Sequence, residues 1–335
     1  MFYLNFRNLM PPPLIISVGE ALVDFVSITP GLLSTSPGFF KRLGGEGANV
    51  ASGLAKFGAR VIFLGRIAND PFGRFLLRDM KQRGVDVRYV VRDHRFRTRL
   101  AFVSRKPSGE RDFDFWEDVP AASRLVWTDI PTTLLRRARL ITIAPLLLVA
   151  EPARTTALRL AALAQKRGVA VAFDTNVRLS LWRSHDEARQ TTLAMIRLST
   201  ILRMNDEEAH FLTGRKNALQ AARSLQALGP RVVAITHGPD GCTLHSRTAT
   251  VVSPGYRVSA VDTTGCGDAF FAALLYGIAT AGVELGRIKP QTWRAICHVA
   301  NAAGALTAVK PGGADALPSL DEIEHFLGSQ QEQPN

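Results

Sequence analysis

The stretch LITIAPLLLVAEPARTTALRLAALAQKRGVAVAFD, residues 140–174, decides the fold class. It opens and closes on short apolar runs, 140–143 and 169–174, each of strand length. Between them lies 153–167, long enough for a helix. Strand, helix and strand in this order are the repeating unit of a parallel sheet. The same alternation continues in both directions. Toward the amino end come a strand at 14–18, a helix at 49–57, a strand at 61–64 and a helix at 72–83. The first helix carries Val50, Leu54 and Phe57 at i, i+4 and i+7 and is closed by Gly58. The second has Phe72, Phe75, Leu76 and Met80 on one face and ends at Gly84. Toward the carboxyl end come helices at 185–198 and 218–228 and a strand at 232–236. Ser184 with Glu187, and Ser319 with Glu322, have capping-box spacing. The pattern predicts a doubly wound α/β fold, with a mostly parallel sheet and helices on both faces.

Two stretches break the rhythm. Residues 25–43 and 87–116 are rich in β-formers, turn residues and charge, with no helical period. Within the second, 99–105 and 111–116 read as strands joined by a Lys106-Pro107-Ser108-Gly109 turn. Both stretches are read as a small β-sheet lid over one edge of a single domain spanning 14–328. Residues 1–13 are read as a disordered leader and 329–335 as a disordered tail.

Composition excludes several classes. Of the 335 residues, 46% are hydrophobic and 21% charged, which argues against disorder. No apolar run reaches the roughly 18 residues of a membrane span. Cys242, Cys266 and Cys297 form no CxxC pair, so neither a zinc site nor a disulfide framework is expected. Scattered thiols suit a reducing cytoplasm, and a soluble cytoplasmic protein is expected. The formal charge is +12, but the arginines are spread along the chain without an RNA-binding pattern, so no nucleic-acid partner is expected.

In an open parallel sheet, ligands bind beyond the carboxyl ends of the strands. There the chain places Gly19-Glu20, Asp174-Thr175-Asn176 and Thr236-His237-Gly238. The strongest local signal is Asp262-Thr263-Thr264-Gly265-Cys266-Gly267-Asp268, just before an apolar helix. Its small residues let the amides of Gly265, Cys266 and Gly267 turn inward, and the positive end of the helix points the same way. A carboxylate in such an anion site suits a base that takes a proton from an attacking hydroxyl. The alternative is an Asp that caps a core helix. A second signal is Gly44-Gly45-Glu46-Gly47-Ala48-Asn49, where glycines permit close approach of backbone to ligand and Asn49 can bind adjacent hydroxyls. Its alternative is a turn with Asn as N-cap. No Walker A loop, dinucleotide fingerprint, HExxH or Gly-x-Ser-x-Gly is present.

These two segments resemble the two signatures of the PfkB, or ribokinase-like, carbohydrate kinase family, with bacterial fructokinases as the best match. The resemblance covers residues 15 to about 327. Gly19-Glu20-Ala21-Leu22-Val23-Asp24 resembles the opening strand and sugar-binding Asp. Phe173-Asp174-Thr175-Asn176-Val177-Arg178 with Leu181-Trp182 resembles the D-x-N-x-R-x-x-L-W block. Asn205-Asp206-Glu207-Glu208 resembles the N-x-x-E metal motif, Thr236-His237-Gly238 with Gly241 the nucleotide loop, and the segment from Asn301 to Thr307 the helix under the adenine. The chain departs from the pattern at Ala68, at Cys266, and at Glu46-Gly47, where fructokinases often carry Ala-Pro.

The resemblance implies an ATP-dependent sugar kinase, with fructose as the first choice of acceptor. Other acceptors it allows are 2-keto-3-deoxygluconate, ribose and a nucleoside. A non-catalytic ribokinase-like binding protein is the rival of another class. Asp268 would be the base. Gly265, Cys266 and Gly267 would hold the transferred charge, with Arg178 as a fixed cation. Asp24, Gly44, Gly45 and Asn49 would bind the sugar. Thr236, Gly238, Gly241, Gly265, Gly267 and Asn301 would bind ATP. Asn205 and Glu208 would hold Mg²⁺ through water, and Asp262, Thr264 and Gly312 would offer oxygens to K⁺. The lid implies a homodimer.

Overall fold

The computed structural model of the chain describes residues 12–105 and 111–331. In chain order the first part holds β1 (Leu14–Val18), β2 (Leu22–Ser27), β3 (Phe39–Gly44), α1 (Glu46–Lys56), β4 (Arg60–Leu64), β5 (Arg66–Ala68), α2 (Pro71–Gln82), β6 (Val91–Asp93), β7 (Leu100–Arg105) and β8 (Arg111–Trp116). Next come β9 (Leu140–Ile143), α3 (Ala153–Lys166), β10 (Ala170–Asp174), α4 (His185–Leu198), β11 (Ile201–Asn205), α5 (Asp206–Thr213) and α6 (Ala218–Gln226). The chain closes with β12 (Val232–Thr236), β13 (Cys242–Ser246), β14 (Thr250–Ser253), α7 (Cys266–Thr280), α8 (Pro290–Ala308), α9 (Gly313–Ala316) and α10 (Leu320–Gln331).

The main sheet has eight strands in the order β14-β13-β12-β11-β10-β9-β1-β4. From β12 to β4 every neighbour is parallel, and β13 and β14 add an antiparallel edge. Side chains alternate across the sheet and build two apolar layers. One takes Ile15, Ala172, Ile201 and Ala234 from the strands and packs them against Leu54 of α1, Leu274 of α7 and Ile296 of α8. The other takes Ile16, Phe173, Leu202 and Ile235 and packs them against Leu160 of α3, Ile196 of α4, Leu212 of α5 and Leu225 of α6. This is the doubly wound α/β arrangement expected, with the unit at 140–174 near its middle.

The chain leaves β1 toward β4 on one side and returns through β9 on the other. Strand order therefore reverses at β1/β9, which opens a crevice beyond the carboxyl ends of the strands. Over that crevice lies a separate four-stranded sheet, β3-β2-β7-β8. Its aromatic packing is continuous: Phe25 stacks on Phe102 at 5.3 Å and meets Phe72 of α2 edge-on at 5.7 Å.

Several boundaries differ from expectation. The expected lid stretch at 87–116 divides. Residues 91–93 leave the small sheet and pair with β5, because Asp93 is drawn onto Arg66 at 2.9 Å. Only 100–105 and 111–116 join the small sheet, and the expected turn between them lies partly outside the described residues. Helix α1 begins at Glu46, with Gly45 as its N-cap at φ +90°, so Asn49 sits inside the first turns rather than capping them. Helix α10 runs to Gln331, past the boundary drawn for a tail. Of the expected leader, residues 1–11 lie outside the described residues, while the Pro13 carbonyl accepts from the Arg60 amide. The box at Ser319 closes in both directions. At Ser184 only half forms, because the Glu187 carboxylate turns to Arg154 at 2.8 Å.

Candidate active site

Pleat register assembles the polar centre. On β11, Ile201 faces α7 and Leu202 faces away, so Arg203 returns to the α7 side. Its register partner on β10 is Asp174, on the same face. Thr236 reaches that face from the end of β12. Arg203 donates to Asp174 Oδ2 at 2.8 Å and to Thr236 Oγ1 at 2.7 Å. Its guanidinium also lies 6.0 Å from the Phe270 ring centroid. Burial works against the charge of Arg203, but Asp174, Glu208 and Asp268 outweigh it and hold its proton more firmly than usual.

Helix α7 delivers the base to the same place. Gly265 is its N-cap at φ +83°, and Cys266, Gly267 and Asp268 form its first turn. The Cys266 amide donates to the Thr263 carbonyl at 3.3 Å, which sets the turn. First-turn amides lack intrahelical acceptors, so those of Gly265 and Gly267 are placed for an anion. A Cβ at Gly267 would lie 2.7 Å from Arg203 Nη1 and displace the guanidinium from this position. Asp268 is buried, and Asn49 of α1 donates from Nδ2 to Asp268 Oδ2 at 2.7 Å. Asn49 Oδ1 is buried with no partner among the described residues, which suits a ligand hydroxyl. Burial raises the Asp268 carboxyl above its ordinary range, although Asn49, Arg203 and Arg178 pull it back.

Asp268, Asn49, Asp24, Gly45 and Arg178 line one cavity of about 310 Å³. Arg178 lies 5.8 Å from the Phe113 ring of the small sheet. Asp24 projects from β2 against Gly44, where a Cβ would strike its carboxylate and push it aside. A second and more apolar cavity of about 690 Å³ lies beyond α7. Thr236, Gly238, Gly241, Asn301 and Gly304 line it. Arg203, Thr263 and Gly267 line both cavities and form the wall between them. An acceptor on one side and a long donor on the other would meet at Asp268.

The remaining expected residues fall nearby. Asn301 lines the larger cavity, and its amide also ties Ser253 and Pro254 of the β14 end to α8. Asn205 and Glu208 close a full capping box on α5. Glu208 Oε2 accepts from the Asn205 amide and Oε1 from the Val177 amide at 2.6 Å. Each oxygen keeps a second lone pair, and Asn205 faces the smaller cavity. Asp262 Oδ1 accepts from the Thr264 amide at 2.7 Å, and the Thr264 methyl meets the position a Gly313 Cβ would take at 3.9 Å. Gly313 thus lies against the 262–265 turn, and Gly312, at φ +88°, precedes it. Arg42 lies across Gly312 and pairs with Asp315.

Sequence reasoning placed Glu20, Asp174 and Glu46 near the rim without giving them a role, and passed over Arg203. Glu20 follows β1, and burial pushes its carboxyl up to about 8 despite Arg99. Asp174 is pushed up to about 7 by burial, with Arg203 opposing. Glu46 is raised well above its usual value by burial and by Asp174 and Asp268. Asn176 Nδ2 steadies it at 3.0 Å. Arg203 carried a readable signal, a lone charge inside the apolar strand Ile201–Asn205. Groups shifted this far and facing one crevice mark a reacting site.

A family model described as pfkB family carbohydrate kinase matches residues 12–320. The chain belongs to the pfkB family of carbohydrate kinases. It is 36% identical to fructokinase-2 of Zea mays, over 94% of this chain and 94% of that protein. It is 35% identical to probable fructokinase-4 of Arabidopsis thaliana, over 94% and 96%. Among solved structures, the fructokinase of Vibrio cholerae O395, in fructose-, ADP- and calcium-bound form, superposes with a TM-score of 0.84. Its identity is 28%, over 94% of this chain and 99% of that one. This pfkB kinase is therefore an ATP-dependent sugar kinase. Among its described residues no helix is long and apolar enough to cross a membrane.

Proposed function

We propose that the chain phosphorylates fructose at its 6-hydroxyl. The observation that carries the reaction is Asp268, buried at the head of α7 in the smaller cavity, next to Gly267 of the wall shared with the larger one, and held by Asn49 at 2.7 Å. The kinship to fructokinases carries the choice of sugar. In the step, the sugar O6 attacks the γ-phosphorus while Asp268 takes its proton. The bond from the γ-phosphorus to the bridging oxygen breaks, and ADP leaves. The amides of Gly265 and Gly267, with Arg178 and Arg203, hold the charge on the transferred group, while the Cys266 amide, expected to share that role, is taken by the Thr263 carbonyl. Asp24 and Asn49 orient the sugar. The small sheet acts as a lid that excludes water as a competing acceptor.

Mg²⁺ is the divalent ion we propose. It usually keeps several waters, and the occupied but unsaturated oxygens of Asn205 and Glu208 suit contact through them. It would neutralise the triphosphate. The 262–265 turn with Gly312 is the proposed site for K⁺. None of the three cysteines forms a disulfide, and Cys242 and Cys297 are buried, which suits the reducing cytoplasm we propose as its compartment.

A coupled ADP-release assay over a sugar panel tests the function. Fructose should give the highest kcat/KM among fructose, ribose, 2-keto-3-deoxygluconate and nucleosides. Strong turnover of 2-keto-3-deoxygluconate with none of fructose would sink the proposal.

The small sheet also leaves Phe40, Trp116, Ile28 and Leu32 exposed. Register places Phe40 and Trp116 on opposite faces of the sheet, so no single patch joins them, but exposed apolar side chains of this kind suit a partner, and we propose a second copy of this chain. Sedimentation velocity should return twice the 36.5 kDa of one chain. A monomer at micromolar concentration would refute the dimer.

A further inference from the structure

The acceptor cavity has a neighbour. A cavity of about 280 Å³ adjoins it, and Glu20, Phe115 and Leu146 line both. Asp268 lines only the first, so this chamber faces the end of the acceptor remote from the transferred phosphate. Two buried polar atoms of residues in its lining have no partner among the described residues: Glu20 Oε1, at the boundary of the two cavities, and Arg99 Nε, within this one. Glu20 is 4% exposed. The Arg99 guanidinium lies 6.0 Å from the Phe115 ring centroid, which fixes its plane against the small sheet. An orphaned buried donor and acceptor are costly unless a ligand completes them.

The charges of the chamber show what that ligand is. Arg66, Arg97 and Arg99 line it, and so do Glu20, Glu117 and Asp118. Arg66 is further held by Asp93 and Asp129, each at 2.9 Å. No positive excess remains for an acid. A carboxylate only accepts hydrogen bonds and would face three carboxyl groups. A hydroxyl both donates and accepts, so one hydroxyl can take the Arg99 N–H and give its own proton to Glu20. We propose that Glu20 and Arg99 are specificity-determining residues that read the uncharged hydroxyls at the end of the sugar remote from the phosphorylated one. The inference rests on the fructose reading, in which that end carries the hydroxyls of C1 and C2.

The test compares kcat/KM for fructose, 1-deoxyfructose and 2,5-anhydromannitol. The enzymes are the unaltered protein, Glu20→Gln, Arg99→Met and Arg99→Lys. The unaltered enzyme should disfavour at least one analogue by about 10²-fold or more, because a site built for a hydroxyl rejects its absence. Arg99→Met and Glu20→Gln should lose activity on fructose to a similar degree and treat fructose and that analogue nearly alike. Arg99→Lys should restore part of the discrimination. An unchanged KM for ATP shows that each variant is folded. Variants that turn over fructose and still discriminate like the unaltered enzyme would overturn the inference and leave the fructose reading standing. Turnover of 2-keto-3-deoxygluconate that depends on Arg99, with fructose inert, would overturn both.

Discussion

Asp268→Asn should lower kcat by about 10²–10⁴-fold, the usual contribution of a positioned base, with little change in either KM. The geometry separates this from a structural effect. Asp268 does not act as the N-cap of α7, a place taken by Gly265, and its Oδ2 is already engaged by Asn49. An Asn side chain retains an oxygen that can accept from Asn49, so the packing survives. Its removal of charge should also help folding. Burial raises the Asp268 carboxyl, and a raised carboxyl contributes stability below its unfolded value that is lost as pH rises through the folded value. At neutral pH the ionised group is therefore a cost, and the variant should melt at or above the temperature of the unaltered protein. The unaltered enzyme needs the base ionised, so kcat/KM should fall as pH falls, on a limb above the ordinary carboxylate range. Asp174, Glu46 and Glu20 share that field, so the limb belongs to the cluster rather than to one group. In the residual activity of Asp268→Asn the limb should shift, because one member of the cluster no longer titrates. Scanning calorimetry and a pH profile of ADP release check both. Activity within tenfold of normal would remove Asp268 from the chemistry.

What was legible in the sequence was what neighbours in the chain can express. The strands at 14–18, 140–143 and 232–236 showed as apolar runs because both faces of a parallel strand are buried. The 262–268 turn showed because its glycines, its acid and the following helix are contiguous. The small sheet was half legible: its hairpin showed, but its strand β2 lies parallel to β7, more than seventy residues away, and no local pattern encodes that. Helix α1 began early because a glycine at φ +90° can cap where no polar side chain announces a start. The buried charge cluster was the least visible. Asp174, Arg203 and Thr236 lie about thirty residues apart in the chain and meet only because three strands pair in register. Glu20 lies in the turn between β1 and β2, and Arg99 just before β7, far along the chain. The Asn205–Glu208 spacing was read both as a cap and as a metal motif, and the structure shows the cap formed.

Arg203→Met should remove about 10²–10³-fold in kcat, comparable to deleting one donor from an oxyanion hole. Arg203 is a wall of both cavities and stands against Gly267, beside the amides proposed to hold the transferred charge. It is also the partner of buried Asp174, so the variant has a structural side. Breaking one half of a buried ion pair costs about 3–5 kcal/mol when the other half stays charged. Here Asp174, already pushed up to about 7, can take a proton instead, which limits the loss and makes it grow with pH. The two effects part in the double variant Arg203→Met with Asp174→Asn. It has no stranded Asp174 charge, so its melting temperature should recover and lose the extra pH dependence of the single variant, whereas kcat should stay low. Arg203→Lys should keep the charge but lose the fork that spans Asp174 and Thr236, and should sit between the two. Melting curves at pH 6 and pH 9, read with kcat for all three, decide the matter. If kcat returned together with stability in the double variant, Arg203 would be a strut for Asp174 and not a contact for phosphate.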